Sequence, residues 1–366
     1  MKTRASRIVA AVAGAALCLL SRDARACSTF VIHDGPELLY GRNFDFFMDG
    51  GYVLTNRRGV AKTALVDPPQ APVRWISRYG SVTFNQAGQE FPYGGMNEAG
   101  LVVENMWLQA ARYPAADERP AIAELQWIQD QLDTAATVAE VLASDGRIRI
   151  DAAGKPIHFL VADASGAAAT VEFIAGRAVV HSGPDLPVPA LTNDTYDDSL
   201  AYLRLHAGFG GGTPIAATRG SLDRFATVAA MLGERRGLRG EAAVGRAFEI
   251  LDAVAHGART VWSAVYDVAG RRVFFKSVGN TSVRSLRMSD LRFDCAGPSW
   301  GLPVDGPGRG DVGRTAAVYT PEINGALVRS TFARYRDQHF ADVPAADQDL
   351  LARYPSTLVC QPAPAR

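Results

Sequence analysis

The chain has 366 residues, 48% hydrophobic and 21% charged, with 38 basic side chains against 38 acidic ones and four cysteines. That is the composition of a folded globular protein rather than a disordered or fibrous one. Balanced charge without a long basic run excludes the electrostatic footprint that nucleic acid or anionic lipid requires, so neither is an expected partner.

The first 26 residues combine a basic start (Lys2, Arg4, Arg7), a 13-residue apolar run from Ile8 to Leu20, and the tripeptide Ala24-Arg25-Ala26. This pattern predicts a secretory signal peptide over 1–26 with cleavage after Ala26, and hence a periplasmic or secreted protein. The run is shorter than the roughly 20 residues of a membrane-spanning helix, and no later stretch reaches that length, so no span is expected. Lipid attachment at Cys27 is disfavoured, because Ala24-Arg25-Ala26 lacks the Leu and the small middle residue of a lipid-attachment box. Without the leader, 33 basic residues face 37 acidic ones.

Cleavage would make Cys27 the first residue and leave Cys295 and Cys360 as the other cysteines, Cys18 departing with the leader. An odd count in an oxidising compartment implies one thiol without a partner in the chain. Pairing of Cys295 with Cys360 leaves Cys27 free; a disulfide from Cys27 to one of them is the alternative.

Cys27 to Asp34 alternates, Asp34-Gly35-Pro36 is a turn, and Leu38 to Phe46 resumes an apolar pattern, predicting an opening β-hairpin. Further strands are expected at 52–56, 81–85, 101–107, 157–163, 169–174, 178–182, 259–267 and 272–277. Helical periodicity appears at 122–132, 138–143, 200–206, 224–232 and 242–255. Hairpins interrupted by helix pairs argue for an α+β layered domain of antiparallel sheets with helices outside. No linker rich in Pro, Gly and Ser divides residues 27–366, which read as a single domain, with 294–313 expected to be irregular.

A cysteine at a new amino terminus carries a thiol and an α-amine that can serve as its general base. Arg42 and Asp45, on the partner strand of the hairpin, suit this chemistry: the guanidinium would lower the thiol pKa and hold thiolate, and the carboxylate would orient the amine. A surface ion pair at a strand end is the simpler alternative.

Cys27-Ser-Thr-Phe followed by Leu39-Tyr40-Gly41-Arg42-Asn43-Phe44-Asp45-Phe46 resembles the opening of the choloylglycine hydrolase family, the penicillin V acylases and conjugated bile acid hydrolases among the N-terminal nucleophile (Ntn) hydrolases. Tyr93-Gly94-Gly95-Met96-Asn97-Glu98-Ala99-Gly100-Leu101, Leu191-Thr192-Asn193 and Ser221-Leu222-Asp223-Arg224-Phe225 resemble later segments of that family in the same order. The resemblance covers most of 27 to about 280, and the part from about 281 is divergent.

The resemblance implies a four-layer αββα sandwich of two antiparallel sheets between helical layers. It implies Cys27 as nucleophile and base, Arg42 and Asp45 as its supports, and Asn193 as a side-chain oxyanion donor. Arg224 would hold the constellation together. Asn105, or a backbone N–H of its segment, would be the second donor. The reaction implied is hydrolysis of linear N-acyl amides such as penicillin V, conjugated bile acids or N-acyl homoserine lactones, through a thioester and with no metal or other cofactor. The family also implies a homo-oligomer. Phe46, Phe47, Phe84 and Trp107 are near these motifs in sequence and are candidates for an apolar acyl pocket, with a place in the core as the commoner alternative for each.

Other readings of the same residues are available. Asn193 opens a glycosylation sequon, and an arginine such as Arg224 on an apolar helix usually reaches to solvent. The six histidines form no zinc motif. Gly297-Pro298-Ser299-Trp300-Gly301 is a formal serine-nucleophile motif with Asp305, Asp311 and His339 downstream, but it lacks a preceding buried strand and a following helix. A non-catalytic exported ligand-binding protein shares the composition.

Overall fold

The computed structural model describes residues 26–234, 237–335 and 343–361. Of the expected leader, all but Ala26 lies outside the described residues. The opening hairpin pairs Ser28–Asp34 with Glu37–Asp45, Thr29 lying opposite Arg42. Gly35 turns it with a φ of +61°, a conformation that glycine enters without a Cβ penalty.

This hairpin supplies the second and third strands of a seven-stranded sheet ordered Ala190–Leu191, Ser28–Asp34, Glu37–Asp45, Thr260–Asp267, Arg272–Ser277, Arg284–Arg287, Gly310–Asp311. A nine-stranded sheet stacks on it. Its order is Arg177–Ser182, Ala168–Ile174, Ile157–Ala162, Val102–Trp107, Gly94–Asn97, Ser81–Asn85, Tyr52–Asn56, Trp300–Pro303, Ala317–Val318. All these pairings are antiparallel except that of Arg284–Arg287 with Gly310–Asp311.

The strand Glu37–Asp45 shows why there are four layers. It is buried on both faces from Leu38 onward, and the period of two sends alternate side chains to different layers. Tyr40 donates its hydroxyl to the Leu160 carbonyl in the nine-stranded sheet at 2.9 Å, whereas Asn43 donates to the Leu251 carbonyl of the helix Glu241–Ala253 at 2.7 Å. Gly41 faces that helical side under the ring of Phe30, its partner across the hairpin, where any Cβ would overlap the ring.

The helices Ser221–Gly233 and Glu241–Ala253 pack outside the seven-stranded sheet. Glu124–Thr134 and Val138–Ala143 cover the nine-stranded one, with Trp127 against Phe159 at 4.3 Å between ring centroids. One apolar core spans the intersheet space and the first helical layer; a second lies beneath the other helices. The expected α+β sandwich is therefore the observed architecture. No helix among the described residues is long and apolar enough to cross a membrane.

Several boundaries shift for identifiable reasons. The helix expected at 200–206 runs instead over Tyr196–Leu203, because the Thr195 side chain caps it by accepting from the Asp198 N–H. The helix expected from Ile122 starts at Glu124, since Ala121–Ile122 pairs with Arg149–Ile150 as a short strand. Part of 294–313 is regular after all: Trp300–Pro303 pairs with Tyr52–Asn56 inside the nine-stranded sheet. Cys295 and Cys360 form a disulfide, and Cys27 is the free cysteine among the described residues.

Candidate active site

Cys27 directly precedes the first strand and is buried, 5% exposed, as is Ala26 before it. Its Sγ donates weakly to the Asp45 carbonyl oxygen at 3.8 Å. Burial pushes the thiol pKa above its ordinary value; Arg42 and Arg224 oppose that shift without overcoming it. With Ala26 attached, desolvation outweighs the guanidinium, while Arg42 still pulls the thiol pKa down as expected.

Arg42 is fully buried between the sheets. Nη1 donates to the Asn105 carbonyl oxygen and to Met106 Sδ, Nε faces Glu104 Oε2 at 3.6 Å, and Nη2 has no hydrogen-bond partner among the described residues. Asp45 accepts from the Thr260 hydroxyl through Oδ1, while its buried Oδ2 has no hydrogen-bond partner among the described residues. Burial raises its pKa to about 6 against the pull of Arg224, the Thr260 hydroxyl, Arg42 and the backbone N–H of His256. One carboxylate oxygen beside Cys27 is thus left able to accept another donor.

Arg224 is 1% exposed and does not reach to solvent. Nη1 donates to the Cys27 carbonyl oxygen and to Ser28 Oγ, both at 2.6 Å, and Nη2 donates to Asn193 Oδ1 at 2.7 Å. The guanidinium holds only donors, so the Asn193 carboxamide must turn its oxygen to Arg224 and its nitrogen away. That nitrogen donates to the Trp107 carbonyl at 2.8 Å, which uses one of its two hydrogens.

Asn105 departs from its expected role. Glu104 and Met106 point at Arg42 between the sheets, so the period of two turns Asn105 to the opposite face, where its carboxamide donates to the Tyr93 carbonyl at 2.7 Å. Its contact with the site is the backbone carbonyl that accepts from Arg42. Phe84 takes the core alternative and not the pocket one: it is 1% exposed and stacked on Trp262. Phe46, Phe47 and Trp107 are partly exposed, and Phe46 packs on Phe47 with centroids 4.1 Å apart.

Glu104 escaped the reading of the sequence. It bridges the sheets by accepting from the Tyr266 hydroxyl at 2.5 Å and facing Arg42, and burial raises its pKa to about 7. A lone carboxylate within the apolar run Val102-Val103-Glu104-Asn105-Met106 was the available signal. Ser299 lacks the surroundings of a nucleophile: its Oγ accepts from Gln89 at 2.8 Å, and a strand follows it. His339 of that alternative lies outside the described residues.

Residues 27–233 match the family described as linear amide C–N hydrolases, choloylglycine hydrolase family. A curated relative, penicillin V acylase of Pectobacterium atrosepticum, is 29% identical over 177 residues, covering 43% of this chain and 46% of that protein. The match thus spans less than half the length of that relative. The solved structure of penicillin V acylase from Agrobacterium tumefaciens superposes with a TM-score of 0.71 at 26% identity, over 81% of this chain and 98% of that one. A variant of conjugated bile acid hydrolase from Clostridium perfringens shares the fold, with a TM-score of 0.61 at 16% identity over 75% of this chain and 96% of that one.

Proposed function

The chain belongs to the choloylglycine hydrolase family of linear amide C–N hydrolases, and on that premise we propose that it is exported, loses residues 1–26, and hydrolyses small N-acyl amides with Cys27 as its amino-terminal residue. The observation that carries this reading is the pairing of a free buried thiol with the unpartnered Asp45 Oδ2. With Ala26 attached, the nitrogen of Cys27 is a peptide amide and has no basic lone pair. Cleavage turns it into an amine that can donate to Asp45 and accept the proton of its own thiol.

The steps follow from those groups. The thiol proton passes to the α-amine, and the thiolate attacks the amide carbonyl carbon. Negative charge develops on the former carbonyl oxygen, where the second hydrogen of Asn193 Nδ2 serves as a donor; one such donor is typically worth about 3 kcal/mol. Collapse expels the leaving amine, which takes the proton back from the α-ammonium, and a thioester remains. Water, deprotonated by the same amine, then releases the acid. Arg42 offsets the charge of the thiolate, and removal of Ala26 relieves the desolvation that opposes it.

Phe46, Phe47 and Trp107 support an apolar acyl side for the substrate. Penicillin V, conjugated bile acids and N-acyl homoserine lactones belong to the class proposed. A homo-oligomer is proposed with the family, and no nucleic-acid partner.

The test compares protein beginning at Cys27 with a precursor in which Ala24 and Ala26 are replaced by bulky residues and a protease site ends directly before Cys27. The precursor should be folded but inactive toward an acyl-amide panel, and cleavage should restore hydrolysis. Turnover by the uncleaved precursor at the mature rate, or by Cys27→Ser within tenfold of the parent, would sink the mechanism. A mature protein that hydrolyses none of the panel would point to ligand binding without catalysis.

A further inference from the structure

The side chain of Asn193 is held by Arg224 and Trp107, and its backbone N–H donates to Ser221 Oγ at 2.8 Å; the carbonyl just before it has a further anchor. The carbonyl oxygen of Thr192 accepts from His158 Nε2 at 2.8 Å, and the other ring nitrogen of His158 meets Glu172 Oε1 at 2.9 Å. His158 is 0% exposed and Glu172 1%. A carbonyl can only accept, so Nε2 carries a hydrogen. One proton lies between Nδ1 and Glu172, on the ring or on the carboxyl; in either form that contact is a hydrogen bond and Nε2 remains a donor.

Glu172 is itself fixed. The N–H of Tyr196 reaches its two oxygens at 3.2 and 3.1 Å, and His181 Nδ1 lies 4.0 Å from Oε2. His181 in turn faces Asp197 at 3.2 Å. The direction of the chain of contacts matters. His158 stands on Ile157–Ala162 of the nine-stranded sheet, and Thr192 follows the edge strand Ala190–Leu191 of the seven-stranded one. The hydrogen bond therefore crosses between sheets and lands one residue before Asn193. A buried pair of this kind is weak evidence for stability and better explained by what it holds in place.

We propose that His158, oriented by Glu172, is a positioning residue for the oxyanion donor: it pins the Thr192 carbonyl and thereby sets where Asn193 Nδ2 points. This rests on the reading of Asn193 as that donor. Neither His158 nor Glu172 contacts the reacting atoms in this scheme.

The test uses mature protein and two polar variants that separate the ring nitrogens. Asn at 158 reproduces the Nδ1 contact and falls short of Thr192, whereas Gln reaches Thr192. His158→Asn should lower kcat about 10- to 100-fold, as expected for a misplaced donor, with KM within about threefold. His158→Gln should return to within about fivefold of the parent. Iodoacetamide should alkylate Cys27 at the parental rate in both, since displacement at iodoacetamide builds no oxyanion. The double variant His158→Asn with Asn193→Ala should be no slower than Asn193→Ala alone.

Parental kcat in His158→Asn, equal losses in the two variants, slowed alkylation, or additive losses in the double variant would each overturn the proposal. If Asn193→Ala itself keeps parental kcat, the oxyanion reading falls and takes this one with it. A slow Asn193→Ala beside a fast His158→Asn removes the positioning role alone.

Discussion

Arg224 Nη1 donates to the carbonyl oxygen of Cys27 at 2.6 Å, across 197 residues of sequence. The same guanidinium reaches Ser28 and Asn193, so one side chain joins the nucleophile's backbone to the proposed oxyanion donor.

Arg224→Lys should therefore be far from conservative. An ammonium cannot span Cys27, Ser28 and Asn193 in one plane, and Asn193 loses the partner that orients it. We expect kcat to fall about 100-fold or more, in line with the loss of one oriented donor. Activity within threefold of the parent in a folded variant would contradict the bridging role.

Asp45 should make the uncleaved chain less stable as pH rises. Its folded pKa of about 6 lies above the ordinary 3.8, so the folded state binds the proton more tightly. The stabilisation is complete below about pH 4, is lost as pH rises toward 6, and is absent above; a shift of this size corresponds to about 3 kcal/mol. Asp45→Asn should raise the precursor's melting temperature at pH 8 relative to the parent and change it little at pH 4. A destabilised variant at pH 8 would show that the carboxylate is better solvated than its burial implies.

Gly94→Ala should damage both stability and activity. A Cβ at Gly94 would overlap the Glu104 carboxyl group, forcing it away from Arg42 and Tyr266. Overpacking of this kind costs about 1–3 kcal/mol. Chemical denaturation checks the loss, and a variant as stable as the parent would mean that Glu104 can relocate freely.

The disulfide should matter to stability and not to chemistry. Cys295 and Cys360 close a separation of 65 residues, for which chain-entropy reasoning gives about 4 kcal/mol. Replacing both with Ala should lower the melting temperature while kcat stays within about twofold. Alkylation of mature protein without reduction should modify one cysteine per chain, and three modified cysteines would refute the pairing.

Much of the hairpin architecture is local. Tyr52–Asn56, Ser81–Asn85 and Arg272–Ser277 follow from alternation and turn residues, because the period of two and the composition of a strand are properties of a few neighbouring residues. Short strands such as Val60–Thr63 and Gly94–Asn97 carry too few residues for a pattern and exist because neighbouring strands pair with them.

The chemistry divides in the same way. Cys27, Arg42 and Asp45 were legible because one hairpin carries all three, and the odd cysteine count singled out the thiol. Glu104 and Thr260 act on Arg42 and Asp45 from other strands, and His158 reaches the Thr192 carbonyl beside Asn193, at separations that no spacing rule reaches. The protonation of the thiol was likewise a tertiary matter. Sequence places a guanidinium near sulfur, but only the packed sheets decide how much water remains, and with Ala26 attached burial outweighs the charge.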